Sequence, residues 1–250
     1  MSTPHVAPRA TFHEQVVEQL GRDICSGRYR PGQVVPSEPE LGERFSFSRI
    51  VIREAIKSLV AKGMLEVSRR VGTLVLEPTR WNLFDPQVIA WRAESAASDP
   101  NMARDLMELR RIVEPAAVRL AAERASESER RALRAAYMAM ARAVAGKGDY
   151  VEADLAFHTT ILSACGNQYV RHMQEALSAM LRASFEIVSQ KPGGPAQSLP
   201  MHEAVCVAIE NGDAKAAERA AITLIMHAEE DLRTLLKARR VAPARKRLAA

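Results

Sequence analysis

The sequence has few aromatic residues, few cysteines and no long apolar run. Phe, Trp and Tyr make up 5% of the 250 residues, and the three cysteines, Cys25, Cys165 and Cys206, lie far apart. Their spacing fits neither a disulfide framework nor a cysteine zinc site, so we interpret them as small core residues. No segment approaches the roughly 20 apolar residues that span a bilayer, and the N-terminus lacks the apolar core of a signal peptide. The sequence therefore predicts a cytoplasmic protein with no membrane partner.

The composition favours a mostly helical protein of two domains. Hydrophobic residues make up 47% of the chain, and Ala, Leu, Glu and Arg are abundant. A length of 250 residues suits a small domain followed by a larger one. The net charge of +5 is concentrated at the C-terminus, where the segment from Lys237 onward has six basic and no acidic residues. This basic tail is either a solvated extension or a source of additional phosphate contacts.

Two helices separated by a tight turn are indicated after residue 36. Ser37 followed by Glu40 forms a capping box, and Pro39 lies in the first turn, where its missing N–H costs little. After the turn Ser46-Phe47, Ser48 is a good N-cap for a helix whose apolar residues repeat at helical spacing: Ile52, Ala55, Ile56, Leu59 and Val60. With an earlier helix at about 11–26, these segments predict a compact three-helix head.

The exposed face of the third helix begins with Ser48, Arg49 and Arg53. The two arginines are four residues apart, so they stack on one face. In a helix-turn-helix, the N-terminal residues of the second motif helix meet base edges in the major groove, where Arg binds O6 and N7 of guanine. An ordinary charged helix face is the alternative, and the segment that follows favours DNA.

That segment is typical of a β-wing. Gly63 ends the helix, residues 64–67 and 73–76 form two short strands, and Arg70 and Gly72 lie at the tip between them. A basic tip suits contact with phosphates or with the minor groove. The sequence therefore predicts a winged helix-turn-helix that binds double-stranded DNA.

Residues 36–78 resemble the GntR family of transcriptional regulators. The matching pieces are P-S-E-P-E-L, the S-R-I-V-I-R-E-A run and the K-G-M-L-E that precedes the wing. The residues assigned to DNA contact on this basis are Ser37, Arg44, Ser48, Arg49, Arg53, Arg70 and Gly72. The sequence departs from the family at Pro39, where many members of the FadR subfamily carry an Arg that touches DNA. That contact is missing here.

Two prolines in residues 77–87 interrupt the pattern and predict a linker. The linker would join a DNA-binding domain of residues 1–76 to a domain of residues 88–239, with residues 240–250 as the basic tail. Residues 88–239 consist of long Ala- and Leu-rich segments separated by Gly and Pro breaks, which predicts an all-helical bundle. The fold class is therefore mainly α.

Four residues of the helical domain offer ligands for a divalent metal. Asp154 and His158 are four residues apart on one predicted helix, and His202 and His227 lie on later helices. Three imidazoles and a carboxylate suit Zn²⁺, Ni²⁺ or Mn²⁺ if these helices converge. The spacing leaves an alternative open, in which the histidines are hydrogen-bonded core residues.

Residues 105–230 resemble the FCD-type ligand-binding domain of the FadR subfamily. The matching pieces are LRRIVEPAAVRLAAERA, D-L-A-F-H followed by C-G-N, M-H-E, and H-A-E-E-D-L. In that subfamily such a quartet holds a divalent ion, and a small carboxylate binds near it. The resemblance therefore implies a metal cofactor at Asp154, His158, His202 and His227.

The same resemblance indicates an effector site. Arg110 and Glu114 correspond to the subfamily's R-x-x-x-E-P, and the Arg110 guanidinium matches the two oxygens of a ligand carboxylate. An Arg110–Glu114 ion pair that only braces a helix is the alternative. Asn167 and Arg182 are candidate polar partners for ligand hydroxyls. Residues 81–91, W-N-L-F-D-P-Q-V-I-A-W, look most like the branch of repressors that respond to galactonate and related sugar acids.

The prediction is a homodimeric repressor that releases its operator when a sugar acid or similar carboxylate binds. One alternative is a regulator whose signal is the metal itself or another organic acid. Another is a metallohydrolase, in which the histidines and Asp154 would activate water. The sequence contains no H-E-x-x-H motif, four protein ligands would fill a tetrahedral ion, and no separate general base is spaced nearby. The chain is therefore not predicted to be an enzyme.

Overall fold

The structure, a computed structural model, describes residues 11–95 and 100–241. The chain divides into two compact units, with the boundary after Ser95. Within the described residues, the first unit is helical apart from a two-stranded wing and the second contains helices only, which confirms the mainly α fold class. Residues 242–250 of the predicted basic tail lie outside the described residues.

The first unit contains a three-helix head followed by the wing. Its elements are α1 (Phe12–Cys25), α2 (Glu38–Phe45), α3 (Arg49–Ala61), β1 (Leu65–Ser68), β2 (Gly72–Val75), a 3-10 turn (Pro78–Arg80) and α4 (Pro86–Ser95). The predicted capping box is present, because the Ser37 amide donates to Glu40 Oε2 at 2.8 Å. Leu20, Leu41 and Leu59 are 0% exposed and join the three helices in one core.

The wing follows α3 directly. Gly63 ends the helix with φ +71°, and a Cβ there would lie 2.3 Å from the Arg80 carbonyl oxygen, so only glycine fits this turn. β1 and β2 pair antiparallel from Leu65 opposite Val75 to Ser68 opposite Gly72. The strands therefore form within one residue of the predicted ranges 64–67 and 73–76.

The predicted linker and the start of the predicted sensor domain belong to the first unit, which corrects the domain boundary. Residues 77–87 are anchored by Trp81, whose Nε1 donates to the Leu76 carbonyl at 2.9 Å. Residues 88–95 lie in α4, where Trp91 is 1% exposed within the same core. Both tryptophans of this aromatic-poor chain thus bury against the DNA-binding head, which keeps α4 with that unit.

Gly21 is the point where α1 meets Trp91. A Cβ at Gly21 would lie 2.4 Å from the Trp91 ring. Replacing a mid-helix Gly by Ala ordinarily stabilises a helix by about 0.5–1 kcal/mol, but overpacking a core costs about 1–3 kcal/mol. We therefore expect Gly21→Ala to lower the free energy of unfolding of this unit by roughly 1–2 kcal/mol. Urea unfolding followed by tryptophan fluorescence measures it, since Trp81 and Trp91 both report on the first unit.

The Trp91→Leu background is the control for this experiment. In that background Gly21→Ala should lower the free energy of unfolding less, or raise it, because the aromatic ring that the new Cβ would overlap is absent. A stabilising effect of Gly21→Ala in the wild-type background would contradict the packing of α4 on α1.

The second unit is a bundle of seven helices in its described part. They are α5 (Pro100–Arg124), α6 (Glu127–Val144), α7 (Tyr150–Ala164), α8 (Gln168–His172), α9 (Gln174–Val188), α10 (Gly194–Glu210) and α11 (Ala214–Val241). Phe157 on α7, Met140 on α6 and Cys206 on α10 are 0% exposed in the shared core. The cysteines are unpaired, and Cys165 and Cys206 are buried, as expected of small core residues.

Candidate nucleic-acid interface and metal centre

The N-terminus of α3 presents a charged and apolar face to solvent. Ser48 caps the helix, with its Oγ accepting from the Val51 amide at 3.5 Å. The stripe containing Ile52 and Leu59 is buried, whereas Arg49, Ile50 and Arg53 are exposed. This is the placement that a groove-binding helix requires.

The three arginines of the predicted interface have different partners. Arg53 donates to both carboxylate oxygens of Glu38, at 3.2 and 3.0 Å, and lowers the pKa of that carboxyl. Arg44 donates to Asp23 at 2.7 Å and to the Tyr29 hydroxyl at 2.9 Å, so it braces α2 against α1. Arg49 makes no hydrogen bond or ion pair within residues 11–95. Its guanidinium is therefore the one of the three that is free to meet DNA.

Other predicted contact residues have structural roles as well. Ser37 Oγ donates to Glu40 Oε2 at 2.7 Å in the cap of α2. Gly72 has φ +107°, and a Cβ there would lie 2.9 Å from Val34 Cγ1, so glycine is required by the wing itself. Arg70 lies exposed in the turn between the strands. DNA contact by each of these residues stays a prediction.

Three of the four predicted metal ligands converge in the second unit. Asp154 and His158 come from successive turns of α7, and His202 comes from α10. Asp154 Oδ1 lies 3.3 Å from His158 Nε2 and 3.2 Å from His202 Nε2. Ligand atoms bound tetrahedrally at about 2.0–2.1 Å from one zinc ion are about 3.4 Å apart, so this spacing fits an ion.

The hydrogen bonds of the two imidazoles orient them toward a common point. His158 Nδ1 lies 2.8 Å from Glu114 Oε2, and His202 Nδ1 lies 3.0 Å from the Ser198 carbonyl oxygen. Because both partners accept, the protons belong on Nδ1 and the Nε2 atoms face Asp154. Asp154 Oδ1 and His158 Nε2 are buried without a hydrogen-bond partner in the described part of the chain. Buried ligand atoms that are held in place but lack a hydrogen-bond partner fit the coordination of a bound cation.

The protonation of the cluster follows from burial and charge. Burial alone would raise the pKa of Glu114, but Arg110 and His158 together lower it to about 2. Burial would lower the pKa of His158, but Glu114 and Asp154 raise it to about 9. Two buried carboxylates thus draw positive charge to this point. A divalent ion at Nε2 would supply that charge in place of the His158 proton.

His227 lies apart from the other three predicted ligands in this structure, so its place in the quartet stays a prediction. Its Nε2 lies 3.6 Å from Asp231 Oδ2, one turn along α11, and is buried without a hydrogen-bond partner among the described residues. Asp231 in turn accepts a short hydrogen bond from Lys191. His227 lines the same cavity as Asp154 and His202 but faces its own helix neighbour.

Arg110 contacts the candidate metal centre through Glu114 and also lines the cavity. Its Nε donates to Glu114 Oε1 at 2.6 Å, its NH1 donates to Ser184 Oγ at 3.2 Å, and its guanidinium stacks over the Phe185 ring at 4.8 Å. The ion-pair alternative for Arg110 and Glu114 is therefore present, and it braces His158 through Glu114. The same guanidinium also lines the cavity, so the two roles are compatible.

The cavity has a volume of about 40 Å³, which is room for an ion and a few waters. Its polar lining includes residues that the sequence analysis missed: Tyr150, Ser189, Ser198 and Asp231. The Tyr150 hydroxyl lies 2.8 Å from Ser198 Oγ. Asp231 is four residues after His227, so helical spacing was a signal that could have identified it.

Two predicted effector residues do not line this cavity, and their role in effector binding stays a prediction. Asn167 is the N-cap of α8, and its Oδ1 accepts from the Tyr169 amide at 2.9 Å. Arg182 donates to Glu152 at 2.5 and 3.0 Å, and its side chain is 40% exposed. Neither residue lines the cavity. Asn167 stabilises a helix start, and Arg182 joins α9 to α7 at the surface.

Comparison with known proteins decides the family. Residues 12–75 match the bacterial regulatory proteins of the gntR family, and residues 105–227 match the FCD domain. The galactonate operon transcriptional repressor of Escherichia coli strain K12 is 35% identical over 224 residues, covering 89% of this chain and 97% of that protein. The chain belongs to the GntR family. This GntR protein is therefore a DNA-binding transcriptional regulator with an FCD domain.

Further relatives of this GntR protein are also regulators rather than enzymes, which confirms that prediction. The transcriptional repressor NanR of Cronobacter sakazakii is 26% identical over 220 residues, covering 85% of this chain and 82% of that protein. The solved structure of Lar, which controls expression of the Listeria monocytogenes agr system, has a TM-score of 0.63 at 19% identity and covers 92% of this chain and 100% of Lar. That likeness supports the fold alone.

No helix within the described residues is both long enough and apolar enough to cross a lipid bilayer.

Proposed function

We propose that this GntR protein is a homodimeric repressor whose operator affinity is controlled by a small carboxylate bound beside a divalent metal. The observation that carries the proposal is the convergence of Asp154, His158 and His202 beside a cavity that Asp154, His202 and Arg110 line. The ion and the guanidinium together would hold an anionic group. Hydroxyls and a carboxylate on the remaining wall would select the rest of the ligand.

The donor set supports an ion of intermediate hardness. Two imidazoles and one carboxylate suit Zn²⁺, Ni²⁺ or Mn²⁺. Three protein ligands leave coordination positions for a ligand oxygen, and the unpaired Nε2 of His227 in the same cavity is the proposed fourth ligand after side-chain rotation. The ion would supply charge for the effector carboxylate, while Glu114 and the Ser198 carbonyl hold the imidazoles in place.

A sugar acid such as an aldonate is the proposed effector class. A polyhydroxylated chain needs hydrogen-bond partners beyond its carboxylate, and Tyr150, Ser198 and Asp231 offer them along the cavity wall. The relatives named as the galactonate operon repressor and as the repressor NanR support repression as the direction of control. The galactonate relative also supports the effector class.

The small cavity suggests how effector binding is coupled to DNA binding. The cavity holds an ion and a few waters, and a sugar acid has many more heavy atoms than that, so binding requires the lining to move apart. A ligand that binds only the widened state shifts the population toward that state, whereas one with equal affinity for both shifts nothing. The proposed repressor releases its operator because the widened state is not the one that fits DNA.

Two exposed apolar residues of the second unit support a homodimer. Ile112 on α5 is 72% exposed, and Met226 on α11 is 61% exposed. Each lies within one helical turn of the ion pair that joins the two helices, Arg111 with Glu229 at 3.8 Å. A second copy of the chain would cover these residues and would provide the second head for a two-half-site operator.

The test is a thermal-shift and gel-shift series on the full-length protein. The operator is first selected from random DNA duplexes. Protein stripped with chelator is then reloaded with Zn²⁺, Ni²⁺ or Mn²⁺ and titrated with D-galactonate, D-gluconate and lactate. We expect a sugar acid at a hundred times its Kd to stabilise the metal-loaded protein by about 2.7 kcal/mol and to release the operator.

Matched variants and outcomes decide the proposal. Arg110→Gln should abolish the effector response, while Arg182→Gln, which alters an arginine off the cavity, should retain it. If metal alone controlled operator binding and no organic acid changed it, the effector role would be refuted in favour of metal sensing. If none of the three ions stabilised the stripped protein, the metal centre would be refuted.

A further inference from the structure

The side chain of Ile50 is apolar but is not buried within the first unit. It is 75% exposed, the largest exposed fraction among the large hydrophobic residues of the described chain. It is the second residue of α3, directly after Arg49. At 3.6 residues per turn, Ile50 lies nearly opposite the buried Ile52 and on the same side as Arg53.

The surroundings of Ile50 are those of a nucleic-acid contact rather than of an apolar protein interface. Arg49 and Arg53 flank it on the exposed face of the helix; Arg53 is paired with Glu38, whereas Arg49 makes no hydrogen bond or ion pair within residues 11–95. The two positively charged neighbours attract a polyanion such as DNA. They repel a second copy of this face, which would carry the same positive charge. Duplex DNA is therefore the occupant that fits this face.

Within the major groove only one group matches an isoleucine side chain. Base edges present hydrogen-bond donors and acceptors there, and the thymine C5-methyl is the apolar exception. Isoleucine can neither donate nor accept a hydrogen bond, so its contribution to base discrimination comes from covering that methyl. An aliphatic side chain over any other edge would desolvate polar atoms without pairing them.

We propose that Ile50 is a specificity-determining residue that packs against the methyl group of a thymine beside the guanine bound by Arg49. This proposal rests on the predicted placement of α3 in the major groove, which Arg49 tests separately. It adds apolar readout at one base pair to the hydrogen-bond readout by the arginine.

The experiment removes the methyl from DNA and the side chain from the protein. Starting from the operator selected with the full-length protein, each thymine is replaced in turn by deoxyuridine, which differs only in lacking the C5-methyl. The Kd of wild-type protein should rise about fourfold at one position in each half-site, as expected for losing a buried methyl group. Ile50→Ala should bind the thymine and uracil duplexes equally at that position.

Val60→Ala is the matched control. Val60 is a partly exposed aliphatic residue of the same helix, 39% exposed and near its C-terminal end, so this variant should keep the thymine preference. Retention of that preference by Ile50→Ala, or indifference of the wild type to every uracil substitution, would overturn the proposal. A change in oligomeric state in Ile50→Ala with the thymine preference intact would instead assign Ile50 to a protein interface.

The placement of α3 in the major groove is tested separately from the Ile50 contact. If Arg49→Ala leaves guanine discrimination unchanged, α3 is not in the major groove, and the basis of the Ile50 proposal is removed. If Arg49→Ala loses guanine discrimination while Ile50→Ala still prefers thymine over uracil, α3 lies in the major groove and only the proposed methyl contact is wrong.

Discussion

Replacing His158 or His202 by alanine should remove the metal-dependent part of the stability of this GntR protein. The Nε2 atoms of both histidines lie within 3.3 Å of Asp154 Oδ1, so loss of either one leaves two ligands where three converge. An ion at a hundred times its Kd stabilises the folded protein by about 2.7 kcal/mol, and we expect nearly all of this increment to disappear. His227→Ala should retain part of the increment, because His227 is turned toward Asp231.

The measurement is the difference in unfolding free energy between metal-loaded and chelator-treated protein, together with metal content by mass spectrometry. The difference is needed because His158→Ala also leaves Glu114 without one of its partners and lowers the stability of the metal-free protein. His172→Ala is the control, since this histidine is exposed on α8 away from the cavity. Full metal occupancy in both the His158 and the His202 variants would exclude the proposed centre.

Arg49→Ala should weaken operator binding by roughly 5- to 150-fold per half-site, while non-specific DNA binding changes little. The expected loss of about 1–3 kcal/mol is that of a bidentate contact between arginine and guanine. Arg49 is chosen because it makes no hydrogen bond or ion pair in the described part of its unit, whereas Arg53 is held by Glu38 and Arg44 by Asp23. No internal ion pair has to be broken before the Arg49 guanidinium binds a base.

Arg70→Ala should differ in kind from Arg49→Ala. A residue at the wing tip that contacts phosphate should weaken binding to all duplexes alike and reduce the slope of log K against log salt by about 1. Fluorescence-anisotropy titrations with selected and random duplexes at several salt concentrations separate the two effects. Arg22→Ala, which removes an exposed arginine of α1 paired with Glu18, serves as the charge control. Equal losses on both kinds of DNA for Arg49→Ala would refute its contact with bases.

Features that depend on neighbouring residues could be predicted from sequence. The capping box of Ser37 and Glu40, the N-cap at Ser48 and the helix stop at Gly63 all arise from groups within a few positions of each other. Asp154 and His158 share a helix face for the same reason. The N-cap role of Asn167 was open to the same argument, since Asn is favoured at that position. Its assignment to the effector site missed that local signal.

Features that depend on packing between distant segments could not be predicted from the sequence. Arg182 meets Glu152, 30 residues away, rather than the cavity, and α4 joins the first unit because Trp91 packs on Gly21, 70 residues earlier. No periodicity within α4 or α9 contains that information. The convergence of His202 with α7 and the turning of His227 toward Asp231 likewise follow from how α7, α10 and α11 pack.

For this protein, sequence alone determined the helical class, the winged head, the family and the two kinds of chemistry, because capping, periodicity and motif spacing act over a few residues. Tertiary structure decided which arginine is free for DNA, which three side chains share a point, and where the first unit ends. Those outcomes depend on distances between atoms far apart along the chain, which are set when side chains compete for space and partners in a packed core.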